Sequence, residues 1–552
     1  MLVADREYVA ADGTADIDRA VQKALARASG RPGKHVGFVA EPAFTVRRTW
    51  LDTFDWRLHR AGFVLQRVER SRAPAGLRLS LATGDDVLTV AAPAEVQTPR
   101  VEYPLDTVVP AGPMRGLLEP VVEMRALQPV ATQRFVVRSY RVLNDDEKTV
   151  ARVVIEHPTS WPGKTSGVPG KTSTGSRVSI VASRGYSEEA AATARVIAKV
   201  PGLTPSHQSV LAQALSSTGR SAGDYSSKLD IALSRGMPTE YAVHRIMRAL
   251  LDAAQRNLPG VVAGADTEFL HDLRVAVRRA RSTLKVTGDA LPTAQVDAAN
   301  VALKWLGDLT TPTRDLDVYL LGLDELAAEV TAPGWSASQL GPFRDFLVTA
   351  QASEQSVLVR SLRSVRAKRA FAAWVAVSAG GDASAEESAS ATELPATAAS
   401  NVESVANSAV TRAFKRVIKA GKAITAESPP SDLHDLRKRC KELRYSLEIF
   451  GSLHNTVAQR ALIDDLKKLQ DCLGEFQDTE VQQHAIRTFA VQMLAADSSN
   501  AATVEAVMAM GRLADRLGER QLVARGTFAV LFERFAGPQQ RAHLAALYER
   551  VS

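Results

Sequence analysis

Cysteine is nearly absent. The 552 residues contain two, Cys440 and Cys472, and neither belongs to a CxxC or to a Cys/His pair at metal-binding spacing. A zinc ribbon is thereby excluded, and a disulfide-stabilised secreted fold is not expected. Aromatic residues are also scarce, at 6%. No run of about 18 apolar residues offers a membrane span. The opening stretch MLVADREYVAADG has no cationic region followed by an apolar one, so it is not read as a signal peptide, and a cytoplasmic protein is expected. Charge of one sign is not in great excess either: the formal charge is +7 and the pI is near 9.3. Over this length, an anion site would have to come from local clustering of cations.

Apolar residues make up 45% of the chain, ample for packed cores in more than one domain. The pattern changes along it. Up to about residue 157, short alternating runs such as FVLQRV, LRLSL, VLTVA and ARVVIE are separated by Gly, Pro and Asp turns, which predicts an antiparallel sheet or barrel. RVSIVAS adds a strand, and an Ala-rich helix follows over about 188–200. From about Pro238 onward, apolar residues recur at helical spacing. The small, polar segment AGGDASAEESASATELPATAAS reads as a flexible insertion dividing the helical region in two. The expected fold is therefore multi-domain α+β, an N-terminal antiparallel β-barrel followed by an all-α tandem bundle. Its expected parts are a barrel domain over 1–205, a linker over 206–236 and a helical domain over 237–550. The helical halves fall at about 237–377 and 402–550, with the insertion at 378–401.

SWPGKTSGVPGKTST contains GKT twice. A phosphate-binding loop needs a glycine five residues before the glycine of GKT, so that backbone amides wrap the phosphates. Those places hold Thr165 and Pro158, so the segment reads as a Pro/Gly linker.

A stronger signal is repetition. Shifted by 163 positions, His271 to His434, the chain matches itself without a gap over 48 residues. Asp272 falls on Asp435, Leu273 on Leu436, Arg274 on Arg437, Arg281 on Arg444, Asp308 on Asp471 and Asp315 on Asp478. A gap-free match at one offset indicates an internal duplication. Within the first copy, His271, Arg274, Arg278, Arg281 and Lys285 step by 3 and 4 and share one helix face. Leu273, Val277, Ala280 and Leu284 form the apolar side. In the second copy, His434, Arg437, Lys441 and Arg444 form the basic stripe, and Leu436, Cys440, Leu443 and Leu447 the apolar one. The first stripe is about 21 Å long at about 1.5 Å per residue. A solvated surface helix normally mixes charge signs, whereas the first stripe is nearly all cationic; the second is interrupted by Glu442 and Glu448. Each stripe follows another basic helix, with Arg245 and Arg248 on the first and Arg412, Lys415, Arg416 and Lys419 on the second.

A row of cations on a rigid helix suits a linear polyanion, either inorganic polyphosphate or nucleic acid. Nucleic-acid readers usually add aromatic platforms or a groove-fitting motif, and Tyr445 is the sole aromatic on these stripes. That favours an all-phosphate ligand. His271 and His434 begin the stripes, either as donors to phosphate or as packing and capping groups. Asp315 and Asp317 match Asp478 and Glu480; salt bridges that orient the basic helices are the preferred reading over a metal site.

HDLRVAVRRAR with RDLDV, and HDLRKRCKELRYSLEIF with QDTEV, resemble the two signature pairs of the CHAD domain, over roughly residues 237–550. The resemblance implies a helical, pseudo-twofold module that binds inorganic polyphosphate on a central basic surface, often in association with polyphosphate granules. Carried over, the binding residues would be the two stripes and the basic residues of the preceding helices. No metal is implied there. The second half has Gln477 where the first has Arg314, so the two acidic motifs need not be equivalent.

WLDTFDWRLHRAGFVLQRV, TPRVEYPL, RSYRVLND and KTVARVVIE resemble the CYTH domain, the antiparallel tunnel barrel of triphosphate-processing enzymes, over about residues 1–205. That family opens with ExExK; here Asp5, Glu7 and Val9 stand in those places, and Ser80 stands where a second lysine is expected. Asp5, Glu7, Arg67, Arg100, Glu102, Arg138 and Glu156 would line such a tunnel. With its lysines replaced, the barrel is expected to bind or dock without catalysis. The alternative is a triphosphatase dependent on Mg2+ or Mn2+.

Overall fold

The computed structural model describes residues 7–10, 16–29, 37–71, 73–82, 86–92, 104–159, 175–206, 208–227, 231–330, 333–380 and 401–549. The chain divides into two compact units, Met1–Ser227 and Lys228–Ser552. The two GKT repeats and most of the predicted insertion lie outside the described residues.

In the first unit, alternation of apolar and polar residues produces the strands β1 (Glu7–Ala10), β2 (Gly37–Ala40), β3 (Phe44–Thr53), β4 (Phe63–Arg70), β5 (Gly76–Leu81), β6 (Asp86–Ala91), β7 (Leu127–Leu143), β8 (Thr149–Thr159), β9 (Arg177–Ala182) and β10 (Leu203–Pro205). All pairings are antiparallel, in the order β10-β1-β9-β8-β7-β3-β4-β5-β6, with β2 paired to β7 off this path. The expected barrel is not closed: among the described residues the end strands β6 and β10 do not pair with each other. Helices cover the apolar surface of the sheet. On one face, α1 (Ile17–Ser29) and α5 (Ser187–Ile197) bury Ala151, Val153, Ile155, Val178 and Ile180. Farther along that face, α2 (Arg57–Arg60), α3 (Leu105–Val108) and α4 (Pro113–Val122) pack on Leu51, Leu65, Leu77 and Leu79. On the other face, α6 (Val210–Ser216) packs Leu211, Ala214 and Leu215 against Val46, Trp50, Phe135 and Val137. Part of the segment read as a linker is thus a helix, capped by the Ser209 hydroxyl accepting from the Ala212 amide. Three of its seven residues are buried against the sheet, which a polar connector would not supply.

The second unit is helical throughout its described elements: α7 (Thr239–Ala263), α8 (Thr267–Thr287), α9 (Thr293–Glu329), α10 (Gly341–Leu362), α11 (Val365–Ala376), α12 (Val402–Lys422), α13 (Pro430–Ile449), α14 (Thr456–Ala496), α15 (Ala501–Ala536) and α16 (Pro538–Ala546). Side-chain caps set several starts: Asp266 accepts from the Glu268 and Phe269 amides at α8, and Asn455 from those of Val457 and Ala458 at α14. The predicted apolar stripes are buried as expected, Leu273, Val277, Ala280 and Leu284 on α8 and Leu436, Cys440, Leu443 and Leu447 on α13. One core joins α12–α16. Another joins the later turns of α9, with α10, to α14 and α15, so the two long helices α9 and α14 tie the repeats together. The helices α8 and α13 also pack on each other.

Candidate anion site on the paired basic helices

Burying one face of α8 and one of α13 leaves their cations on the remaining surface, and the α8–α13 contact brings the two rows together. Four side chains from the two copies fall within electrostatic reach: Lys441 is under the influence of Arg437, Arg278 and Arg274. Arg278 lies with its guanidinium 5.2 Å from the centre of the buried Tyr445 ring, a cation–π arrangement. Its pKa is lowered, first by burial and then by surrounding charges that include Arg444 and Arg437. Yet the residue remains exposed to solvent. Arg274 is lowered too, by burial and then by Arg278 and Arg314 against a favourable Asp315. Lys441 is pushed down to about 8, chiefly by burial and then by its cationic neighbours.

Two of the arginines are held by hydrogen bonds. Arg274 donates to Thr310 Oγ1 and Thr311 Oγ1, both at 2.9 Å, and to the Gly307 carbonyl at 3.3 Å. Arg437 makes a bidentate pair with Asp478, at 2.7 and 3.0 Å, and donates to Gln477 Oε1 at 2.9 Å. The matching acids are therefore used differently. Asp478 clamps its arginine directly, while Asp315 is raised by burial and only partly relieved by the nearby Arg274. Arg314, the counterpart of Gln477, instead donates to the Thr267 carbonyl at 3.1 Å. Asp317 turns elsewhere, accepting from Gln351 at 2.9 Å, and Glu480 is exposed.

The remaining stripe residues are distributed around this cluster. Arg444 is tied to Glu448 at 2.7 Å and Gln470 at 3.2 Å. Lys285 pairs with Glu442, which also lies 3.7 Å from Arg416 of α12. Arg281 is exposed, as are Arg412, Lys415 and Lys419 on α12 and Arg245 on α7. Arg248 donates to the carbonyls of Ser378 and Gly380 at 3.3 and 3.0 Å, which ties α7 to the start of the insertion. His271 and His434 are half-buried at the beginning of their stripes.

The tunnel residues expected in the first unit do not converge. Asp5, Arg100 and Glu102 lie outside the described residues. Strand register puts Glu156 opposite Arg177, and Glu7 opposite Ser179, on one face of the sheet. Arg67 stands opposite Thr49, and Thr49 opposite Thr132, which shares the face of Arg138. Val137, between them in sequence, is the residue opposite Glu156, so Arg67 and Arg138 point to the opposite face. Glu7 is engaged by Arg177 at 2.6 Å and Glu156 by Arg48 at 3.0 Å. Arg67 is engaged by Glu69 at 2.9 Å and Arg138 by Asp18 at 3.3 Å. The two carboxylates that would approach a cation are each already matched with an arginine.

The sequence model of the CHAD domain matches residues 245–487. The chain contains a CHAD domain. The match runs from within α7 to within α14 and takes in both stripes. The structure is similar to the CHAD domain from the plant Ricinus communis, at 23% identity and a TM-score of 0.43, over 58% of this chain and 96% of that one. It is similar also to PptA from Streptomyces chartreusis, at 18% identity and a TM-score of 0.40, over 54% of this chain and all of that one. No curated protein matches the chain. Among the described residues, no helix is long and apolar enough to cross a membrane.

Inside the CHAD domain, stripe spacing found the cations but missed their partners. Arg279, Arg314 and Glu442 lie off the 3–4 rows, and Glu448 continues the second row as an acid; the contact between α8 and α13 shows what Arg279, Glu442 and Glu448 do, and the Thr267 carbonyl what Arg314 does. Comparing the two copies column by column would have marked Arg279 and Lys285, because the shift by 163 sets them against Glu442 and Glu448.

Proposed function

We propose that the CHAD domain binds inorganic polyphosphate along the cations of α8 and α13, and that the protein associates with polyphosphate granules in the cytoplasm. The CHAD family is linked to polyphosphate binding. The observation that carries the reading is the convergence of Arg274, Arg278, Arg437 and Lys441, two from each copy, at one place. Like charges held together are unfavourable, and burial adds to the cost; a bound polyanion offsets both by supplying the opposite charge. A linear chain of phosphates can also continue past the cluster to the exposed cations Arg281, Arg412, Lys415 and Lys419. The first unit is assigned no catalysis in this reading, because its candidate carboxylates are ion-paired and its candidate cations face away from them.

The test is binding of fluorescent long-chain polyphosphate by the full chain at about 150 mM salt, with duplex DNA and triphosphate as competitors. Tight binding that resists both competitors and is lost on changing Arg274, Arg278, Arg437 and Lys441 to Gln supports the proposal. Equal competition by DNA would make the domain a general polyanion binder. Equal competition by triphosphate, or binding that survives the four changes, would move the site away from α8 and α13.

A further inference from the structure

We infer that four charges on α8 and α13 make the pairing of the two repeats selective, so that the first copy fits the second and neither fits itself. The inference concerns the helix pair alone and stands whether or not polyphosphate is the ligand.

Arg279 of α8 pairs with Glu448 of α13 at 2.6 Å. Lys285 of α8 pairs with Glu442 of α13. Under the duplication, Arg279 corresponds to Glu442 and Lys285 to Glu448. The two contacts are therefore one contact seen twice, related by the pseudo-twofold axis: the earlier position of each copy meets the later position of the other. That is the reciprocity of an interface between two equivalent surfaces.

A surface made to pair with its own copy could satisfy both contacts with opposite charges at its two positions, a cation at one and an anion at the other. This chain does otherwise. Both positions are cationic in the first copy and both anionic in the second. Pairing first with first would set Arg279 against Lys285 twice, and second with second would set Glu442 against Glu448 twice. Like charges brought together at an interface are strongly disfavoured. The Arg279–Glu448 pair is mostly shielded, with 16% and 20% of the two side chains exposed, so water screens it little.

The neighbours follow the same segregation. Glu448 is supported by Arg444 one turn earlier, and the corresponding Arg281 stands one turn before Lys285. An acid at position 285 would therefore find the same support as Glu448 has. Arg416 is the exception: it adds a cation beside Glu442, whereas its counterpart in the first copy is Ala253. The acids that interrupt the second stripe are thus the complement of the first, and pairing of like halves is disfavoured while pairing of a first copy with a second is favoured.

The experiment is a charge cycle on the full chain, read by thermal unfolding and by sedimentation. One variant, E442R/E448K, makes all four positions cationic. A second, R279E/K285E, makes all four anionic. A third combines the two and so exchanges the charges between copies at unchanged net charge. Each of the first two should lose about 4 °C or more in melting temperature. The combined variant should recover to within about 2 °C of the parent, the residual reflecting Arg416 beside a new cation. Losses that simply add in the combined variant would overturn the inference, as would single-copy reversals that leave the melting temperature unchanged. Self-association of the parent chain through two first copies, detected as a dimer abolished by R279E/K285E, would overturn it as well.

Discussion

Lys441 is the side chain whose charge is least secure. Burial and the neighbouring Arg437 and Arg278 bring its pKa down to about 8, against about 10.4 for an unperturbed lysine. Between these values the folded chain holds fewer protons at this position than the unfolded chain. Stability therefore rises with pH across that window as the desolvated charge is lost. The penalty is fully present below pH 8. Anion binding acts in the opposite sense: phosphate favours the charged form and draws a proton back. Polyphosphate affinity should fall as pH is raised through about 8, with proton uptake on binding that titration calorimetry in buffers of different ionisation enthalpy would show. Lys441→Gln should weaken binding by about tenfold, the worth of one charge-assisted contact, and abolish that uptake. It should also remove the stability gain between pH 8 and 10. Unchanged proton uptake in the variant would place the titrating group elsewhere. Arg278 and Arg274 are depressed for the same reasons but stay charged, so the pH response is assigned to the lysine.

At the level of elements, the helix stripes were legible because a period of 3.6 and a buried apolar face leave little choice about what points outward. The strand runs were legible too; FVLQRV, LRLSL and ARVVIE became β4, β5 and β8. Which strand face Glu7, Arg67, Arg138 and Glu156 occupy was not, because that depends on register between strands far apart in sequence. Barrel closure is absent among the described residues for a related reason: it requires β6 and β10, far apart in sequence, to pair, and they do not. Helix crossings depend on equally non-local fits. Gly260 of α7 lies against the buried ring of Phe269, which begins α8; an added Cβ would fall 2.4 Å from two ring atoms. Replacing Gly by Ala inside a helix gains about 1 kcal/mol in propensity, but a fully buried ring pressed that closely cannot yield. Gly260→Ala should therefore destabilise the chain by about 1–3 kcal/mol, seen as a lower denaturation midpoint with an unchanged slope. Because Phe269 precedes the stripe by two residues, polyphosphate binding should weaken as well.

For the whole molecule, net charge is a poor guide and local arrangement a good one. A formal charge of +7 spread over 552 residues would bind a polyanion feebly, whereas the paired helices gather cations from both copies at one place. The two descriptions predict different responses to salt. Neutralising phosphates releases their counterions, so the logarithm of affinity falls linearly with the logarithm of salt concentration, by about one unit of slope per cation engaged. If α8 and α13 supply the contacts, the combined change of Arg274, Arg278, Arg437 and Lys441 to Gln should reduce the slope by about four. Removing four cations on α15, the exposed Arg534 and the half-buried Arg512, Arg516 and Arg520, alters the net charge by the same amount and should leave the slope nearly unchanged. In the sheet unit, Glu7→Gln and Glu156→Gln release Arg177 and Arg48 from their partners, and these changes should leave polyphosphate binding as it is. A slope that falls equally for the α8–α13 and α15 sets would mean that the polymer responds to overall charge, and the specific site would be lost. A slope that falls only for the first set locates binding on the paired helices, because distant surface charges beyond about 8 Å are screened at physiological salt and cannot imitate direct contact.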